Sequence, residues 1–165
     1  NNVFVSIASG NGVLKGTSGD SIIDTVLYGN TVIDSFGPIL YQNNAGLGHG
    51  SGNTVVNNLF YNSPNIINEA DGGPVSHSYN ALFDSGSIFE IGVQIGTGDP
   101  FVNYKAGNYA LKAATNAGLT LSAPYDTDKI GAKRGAGGVW NRGALEFASG
   151  VDGTRPLPPR FIYIK

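Results

Sequence analysis

Gly29-Asn30-Thr31-Val32-Ile33-Asp34 is answered 23 residues later by Gly52-Asn53-Thr54-Val55-Val56-Asn57. Each copy reads as a turn glycine, an amide, three apolar or β-branched residues, and a closing carboxylate or amide. Three such residues between turn formers are too few for a helix and suit a short strand. The spacing extends outward on both sides. Asn11, Asp34, Asn57, Asn80 and Asn103 stand 23 residues apart, and Asp126 continues the series. Val13, Phe36, Leu59 and Leu82 follow two places after the polar position, in the same register. A fixed period in the range of about 20 to 50 residues predicts a stacked repeat.

The surrounding chain reads the same way to about residue 95. Val3-Phe4-Val5, Ile22-Ile23, Val26-Leu27-Tyr28, Ile39-Leu40-Tyr41, Leu59-Phe60-Tyr61, Ile66-Ile67, Ala81-Leu82-Phe83 and Ile88-Phe89 are further short apolar runs. A flat sandwich can contain such strands but does not require a constant period, whereas a solenoid does. The expectation is an all-β parallel β-helix with about 23 residues per coil. Coils stack at roughly 4.8 Å, so equivalent residues lie above one another. A stacked asparagine column then passes hydrogen bonds from amide to amide and takes the left-handed turn conformation between sheets. Gly46-Leu47-Gly48-His49-Gly50-Ser51-Gly52 and Gly72-Gly73-Pro74 read as loop or turn.

The 165 residues suffice for one domain with a core. Charged residues are 13% and glycine occupies 25 positions, a balance suited to short strands and many turns. A net charge of -2 gives no electrostatic footprint for nucleic acid. No apolar run reaches the length of a membrane-spanning helix. Zero cysteine removes disulfides, thiolate catalysis and cysteine zinc sites together. With no methionine at its start, the chain reads as a processed product or a piece of a longer parent chain, with coils expected before Asn1.

Asp99-Pro100-Phe101-Val102-Asn103, Asn108-Tyr109-Ala110-Leu111 and Asn116-Ala117-Gly118 are followed by Asp128-Lys129-Ile130-Gly131-Ala132-Lys133-Arg134 and Gly143-Ala144-Leu145-Glu146-Phe147. Together these resemble the C-terminal end of secreted right-handed parallel β-helix proteins of the pectate-lyase-like superfold. Asn141-Arg142 stands where those proteins carry Asp-Ile, and Ala117-Gly118-Leu119 keeps part of their closing loop. The resemblance covers roughly residues 53 to 147. It implies a right-handed parallel β-helix with a terminal coil and irregular C-terminal cap over 99–147; the short strands before it read as coils over 1–98, and 148–165 reads as a Pro-rich linker and strand. A cap is expected because the last coil leaves an open strand edge. Arg134 and Glu146 are expected to pair as a partly buried ion pair, with Trp140 as an apolar plug. Phe161-Ile162-Tyr163-Ile164 is a strand that starts another domain, docks back on the stack, or pairs between subunits.

The superfold hosts lyases, hydrolases, adhesins and tailspikes, so the functional expectation is broad. It is an extracellular, secreted or virion-surface, carbohydrate-directed module of a polysaccharide-binding or polysaccharide-degrading protein. The alternative is a structural segment of a phage tailspike, fibre or adhesin stalk, in which a homotrimer would be natural. No cofactor is required.

Several residues are candidates for chemistry. Gly48-His49-Gly50 matches a short motif of polygalacturonase-like hydrolases, with Asp20 or Asp24 as the carboxylates such chemistry needs. No Asp-Asp pair accompanies it, and a Gly-rich loop with a solvated histidine is the plainer reading. A lyase needs cationic groups on its acidic sugar, and Lys15 is the only Lys or Arg in the first hundred residues. Glu69, Asp71, His77, Asp84 and Glu90 form the densest acidic group. Of these Glu69, Asp71 and His77 are candidates for a ligand groove, and Glu69 and Asp71 also for Ca²⁺ held weakly through oxygen. Trp140 is either the plug or a sugar-stacking platform. Tyr28, Tyr41, Tyr61 and Tyr79 are either an exposed stacking row or solenoid core.

Overall fold

Triplets such as Thr31-Val32-Ile33 and Leu59-Phe60-Tyr61 form strands because β-branched and aromatic side chains pack well on a pleated surface. A computed structural model describes residues 1–8, 12–16, 22–42, 51–68, 75–147 and 162–163. Its strands are β1 (Val3–Val5), β2 (Leu14–Gly16), β3 (Val26–Tyr28), β4 (Thr31–Ile33), β5 (Leu40–Gln42), β6 (Thr54–Val56) and β7 (Leu59–Tyr61). They continue with β8 (Ile67–Asn68), β9 (Ser76–Ser78), β10 (Ala81–Phe83), β11 (Gln94–Gly96), β12 (Phe101–Asn103), β13 (Asn108–Leu111) and β14 (Ile162–Tyr163). A single 3₁₀ turn, Tyr104–Ala106, separates β12 from β13, and no α-helix occurs among the described residues.

Three parallel sheets stack the chain on itself. The first runs β11-β10-β7-β4-β1-β14, the second β2-β5-β8 and the third β3-β6-β9. The chain therefore visits first, second and third sheet in turn, three times over. This all-β arrangement of stacked parallel sheets is compatible with a β-helix. Among the described strands β12 and β13 pair antiparallel, and an isolated antiparallel bridge joins Thr127 to Lys133.

The register corrects the expected 23-residue coil. Val3 pairs with Thr31, Thr31 with Leu59, and Leu59 with Ala81. Equivalent positions stand 28, 28 and 22 residues apart. Asp34 and Asn57 both have positive φ but occupy different corners of the coil. Farther on, Asn103 caps the 3₁₀ turn through its side chain, and the Asp126 carbonyl accepts from the Arg134 amide. The described members of the series are not one column, and Asn11 lies outside the described residues. Phe36, expected in register with Leu59 and Leu82, is 65% exposed while both leucines are buried.

β4, β7 and β10 of the first sheet meet packed side chains on both faces, so they read as nearly continuous apolar text. Phe4, Val32, Phe60 and Leu82 stack on one face and meet Ile39, Leu40 and Ile66 from the second-sheet side and Val55 and Val75 from the third. Each such fully buried side chain contributes about 1.5–3 kcal/mol. On the other face Val3, Ile33, Leu59 and Ala81 form a second core with Phe101, Tyr109, Leu111, Ala144 and Leu145. Residues 99–147 thus run as a strap along the flank of the first sheet. Its contacts reach from Asn80, whose carbonyl accepts from Arg142 Nη1 at 3.0 Å, back to Asn1, whose Nδ2 donates to the Thr127 carbonyl at 2.7 Å. At the β11 end Ile91 and Ile95 remain 76% and 66% exposed.

The expected ion pair forms within this strap. Arg134 Nη1 lies 3.5 Å from Glu146 Oε2, with both side chains buried. Trp140 is buried beside it in the same segment. The C-terminal strand takes one of its three expected placements: β14 pairs parallel with β1, Phe4 opposite Ile162 and Val5 opposite Tyr163.

Candidate functional site

Each turn out of β1, β4, β7 and β10 passes through one left-handed residue. Ser6, Asp34, Asn62 and Asp84 occupy this position, with φ of 60°, 49°, 49° and 44°. Asn and Asp tolerate that conformation better than other side chains carrying a Cβ. Serine follows Asp34, Asn62 and Asp84 each time, and these serines fold back on the chain. Ser35 Oγ donates to the Gly37 carbonyl at 2.9 Å, Ser63 Oγ to Tyr61 at 3.1 Å and Ser85 Oγ to Phe83 at 2.8 Å. Ser85 Oγ also accepts from the Ser63 amide at 3.1 Å, tying one corner to the next.

The corner is thereby fixed, and its polar residues line an open groove of about 410 Å³ with Phe36, Pro64, Ser85 and Gly86. Asn62 Nδ2 donates to Asp34 Oδ1 at 2.7 Å, and Asp84 Oδ2 accepts from the Gly98 amide at 2.9 Å. Asp34 and Asp84 lie two strand steps apart, about 9.6 Å between backbones. The exposed Phe36 ring stands on a held backbone. Its amide donates to the Ile7 carbonyl at 2.9 Å, and its own carbonyl accepts from Asn65 Nδ2 at 2.7 Å. A Cβ on Gly86 would collide with the Pro64 carbonyl, so close approach of two turns shapes the groove at that position. An apolar ring beside convergent acceptors on a rigid frame can stack one face of a small polar ligand and hydrogen-bond its edge.

A second polar feature runs inside the stack. Asn30 Oδ1 accepts from the Asn2 amide, Asn58 Oδ1 from Asn30, and Asn80 Oδ1 from Asn58. The amide ladder expected from the sequence exists, then, but it is built from Asn30, Asn58 and Asn80. Glu90 ends it, taking the Asn80 amide at 2.6 Å and Asn80 Nδ2 at 2.8 Å. His77 Nδ1 lies 3.1 Å from the same carboxylate, whose side chain is fully enclosed. Arg142 is nearby; burial pulls its guanidinium below the usual value, and Glu90 and Tyr79 oppose that shift.

The residues singled out from sequence are distributed as follows. Asp20, His49, Glu69 and Asp71 lie outside the described residues. Asp24 is an exposed corner residue at φ 49°, and its carboxylate packs against Gly52 in the next coil. His77 sits on β9 with its ring on Glu90. Trp140 is only 8% exposed, as a plug requires, which leaves little ring face for a sugar. The four tyrosines do not form a row. Tyr28 packs edge-on to Tyr125, Lys15 lies over Tyr41, Tyr61 packs on Phe101 and Tyr104, and Arg142 lies over Tyr79. Among the described residues no three His, Asp or Glu side chains converge as a metal site, and no helix is long and apolar enough to cross a membrane.

Sequence reading missed Asp34, Asn62, Asp84 and Phe36 as one site. The signal was present as a strand triplet followed by Asp or Asn and then Ser, in Asp34-Ser35, Asn62-Ser63 and Asp84-Ser85. No protein-family model, no curated protein and no solved structure matches this chain.

Proposed function

We propose that this chain is an extracellular, carbohydrate-directed module with a right-handed parallel β-helix fold of the pectate-lyase-like kind, and that it holds a polysaccharide along the groove at Asp34, Asn62 and Asp84. One observation carries the reading: an exposed aromatic ring, Phe36, stands beside two carboxylates and an amide that repeat along a rigid corner. Sugars present an apolar C–H face and a hydroxyl edge, so a ring and a row of acceptors meet both. A row repeating with the strand spacing also suits an extended polymer better than a compact ligand.

The test is to incubate the folded protein with a panel of polysaccharides, measure retention by affinity electrophoresis, and read any products by mass spectrometry. Retention that falls at least tenfold in Phe36→Ala supports the groove. Retention unaffected by Phe36→Ala removes it. Shortened or unsaturated products would make the module an enzyme.

A structural reading, a segment of a tailspike, fibre or stalk, has one observation in its favour. Ile95 on β11 of the first sheet and Ile91, bridged to Ser78 of β9 in the third, are exposed at the same end of the stack, where an assembled rod would have a neighbour. A stable trimer in solution, with no glycan retained, would favour that reading; a monomer that binds glycan would not.

A further inference from the structure

Resting on the glycan reading above, we infer that the groove selects polysaccharides without acidic groups and rejects uronate and sulfated chains. The side chains that meet the ligand are Asp34, Asn62 and Asp84, with Phe36 as platform and Ser85 and Gly86 at the edge. None carries positive charge. Asn62 is neutral, and one of its two Nδ2 hydrogens is already given to Asp34 Oδ1 at 2.7 Å, so it offers an anion one uncharged donor. The Gly98 amide is likewise taken by Asp84 Oδ2. The site therefore presents its ligand with two carboxylates against one spare amide hydrogen, and carboxylates match hydroxyl or ammonium hydrogens.

Among the described residues, Lys112, Arg134 and Arg142 do not repair this. Lys112 lines the next hollow, beside Phe83 and Gln94. Its ammonium is engaged by Asp99 at 3.4 Å and also donates to the Asp99 carbonyl at 3.0 Å. Arg134 and Arg142 are buried in the strap. A uronate docked on Phe36 would bring its carboxylate against Asp34 or Asp84 with no cation among the described lining residues to answer it, which is a built-in means of rejection. Neutral sugars meet no such repulsion, and amine-bearing sugars gain attraction.

The experiment compares five hexamers: cello-, xylo- and mannohexaose, fully deacetylated chitohexaose, and hexagalacturonate. Titration calorimetry at low and high salt is run on the intact chain and on the double variant Asp34→Asn/Asp84→Asn. Asparagine already stands at the equivalent corner as Asn62 with φ 49°, so the variant keeps the backbone. It also keeps an oxygen for each of the two hydrogen bonds. The expected result is binding of at least one neutral or amine-bearing hexamer at least tenfold tighter than hexagalacturonate at low salt. The gap to hexagalacturonate should narrow as salt screens the carboxylates and shrink several-fold in the double variant. Hexagalacturonate binding as tightly as the others, or unaffected by the double substitution, overturns the inference while leaving the glycan reading standing. No binding by any hexamer overturns the glycan reading itself.

Discussion

Asn80 gives both of its hydrogens along the stack to Glu90: the backbone amide to Oε1 at 2.6 Å and Nδ2 to Oε2 at 2.8 Å. Glu90 thus occupies the place where a further ladder asparagine would stand. An asparagine offers one oxygen to two donors, as Asn58 Oδ1 does for the amide and Nδ2 of Asn30. A carboxylate offers two oxygens and nothing to donate, so it closes the ladder. Glu90→Gln turns one acceptor into a donor facing a buried N–H. The expected cost is about 1.5–3 kcal/mol, the range for hydrogen bonds to charged groups. Urea unfolding checks it; an unchanged midpoint would show that the ladder end is not held by charge.

The middle of the ladder is more demanding. Asn58 is fully buried and donates through Nδ2 to the Leu27 and Val56 carbonyls as well as to Asn80 Oδ1. Asn58→Ala leaves the Asn30 amide and two carbonyls short of a partner and opens a small void. The expected loss is about 3 kcal/mol or more. Asn58→Asp should be no better, because an acceptor-only side chain would face those carbonyls. Thermal unfolding of the two variants side by side reads this; a stable Asp variant would mean the ladder tolerates charge along its length.

The strands were legible because β1, β3, β4, β6, β7 and β10 are apolar triplets bounded by turn residues. β2, β9 and β11 were not, since Leu14-Lys15-Gly16, Ser76-His77-Ser78 and Gln94-Ile95-Gly96 carry no apolar run. The coil length misled for a physical reason. Gly29-Asn30 and Gly52-Asn53 solve the same problem, a left-handed residue then an amide before a strand, but at different corners. Asn30 leads into β4 of the first sheet and Asn53 into β6 of the third. Their 23-residue separation is a corner-to-corner distance, not a coil. The groove was hidden for the same reason, because Asp34, Asn62 and Asp84 align only once the 28- and 22-residue steps are known.

Arg134 binds the strap to itself and to the start of the chain. Nη1 donates to the Asn141 carbonyl at 2.9 Å, and Nη2 donates to the Gly143 carbonyl at 2.7 Å and to Asn1 Oδ1 at 2.9 Å. Burial draws its guanidinium below the usual value, against the opposing pull of Glu146, Asp128 and Tyr28. Glu146 in turn accepts from the Gly135 amide at 3.0 Å and Asn141 Nδ2 at 2.9 Å. Removing one partner of a buried pair strands the other charge, so Glu146→Ala should cost about 3–5 kcal/mol. Arg134→Lys should cost less but remain clearly destabilising, because one ammonium cannot reproduce the fork. Chemical denaturation with hydrogen exchange locates the loss. Opening confined to residues 99–147 would show the strap to be a separate cooperative unit, and global unfolding would show it to be part of the core.

Tyr61 provides a pH signature at the seam between first sheet and strap. Burial raises its phenol above the ordinary value, with Tyr104, Asp99 and Asp84 adding to the effect. The folded protein therefore holds this proton to higher pH than the unfolded chain does. Above about pH 10 the unfolded state has released it while the folded state keeps it, so stability falls as pH rises through that window. Below the window both states are protonated and the residue contributes no pH dependence. Tyr61→Phe should flatten the alkaline limb of the stability curve and remove one late-titrating phenolate from the ultraviolet titration. An alkaline limb identical in the variant would assign the loss to other groups and leave Tyr61 with a packing role alone.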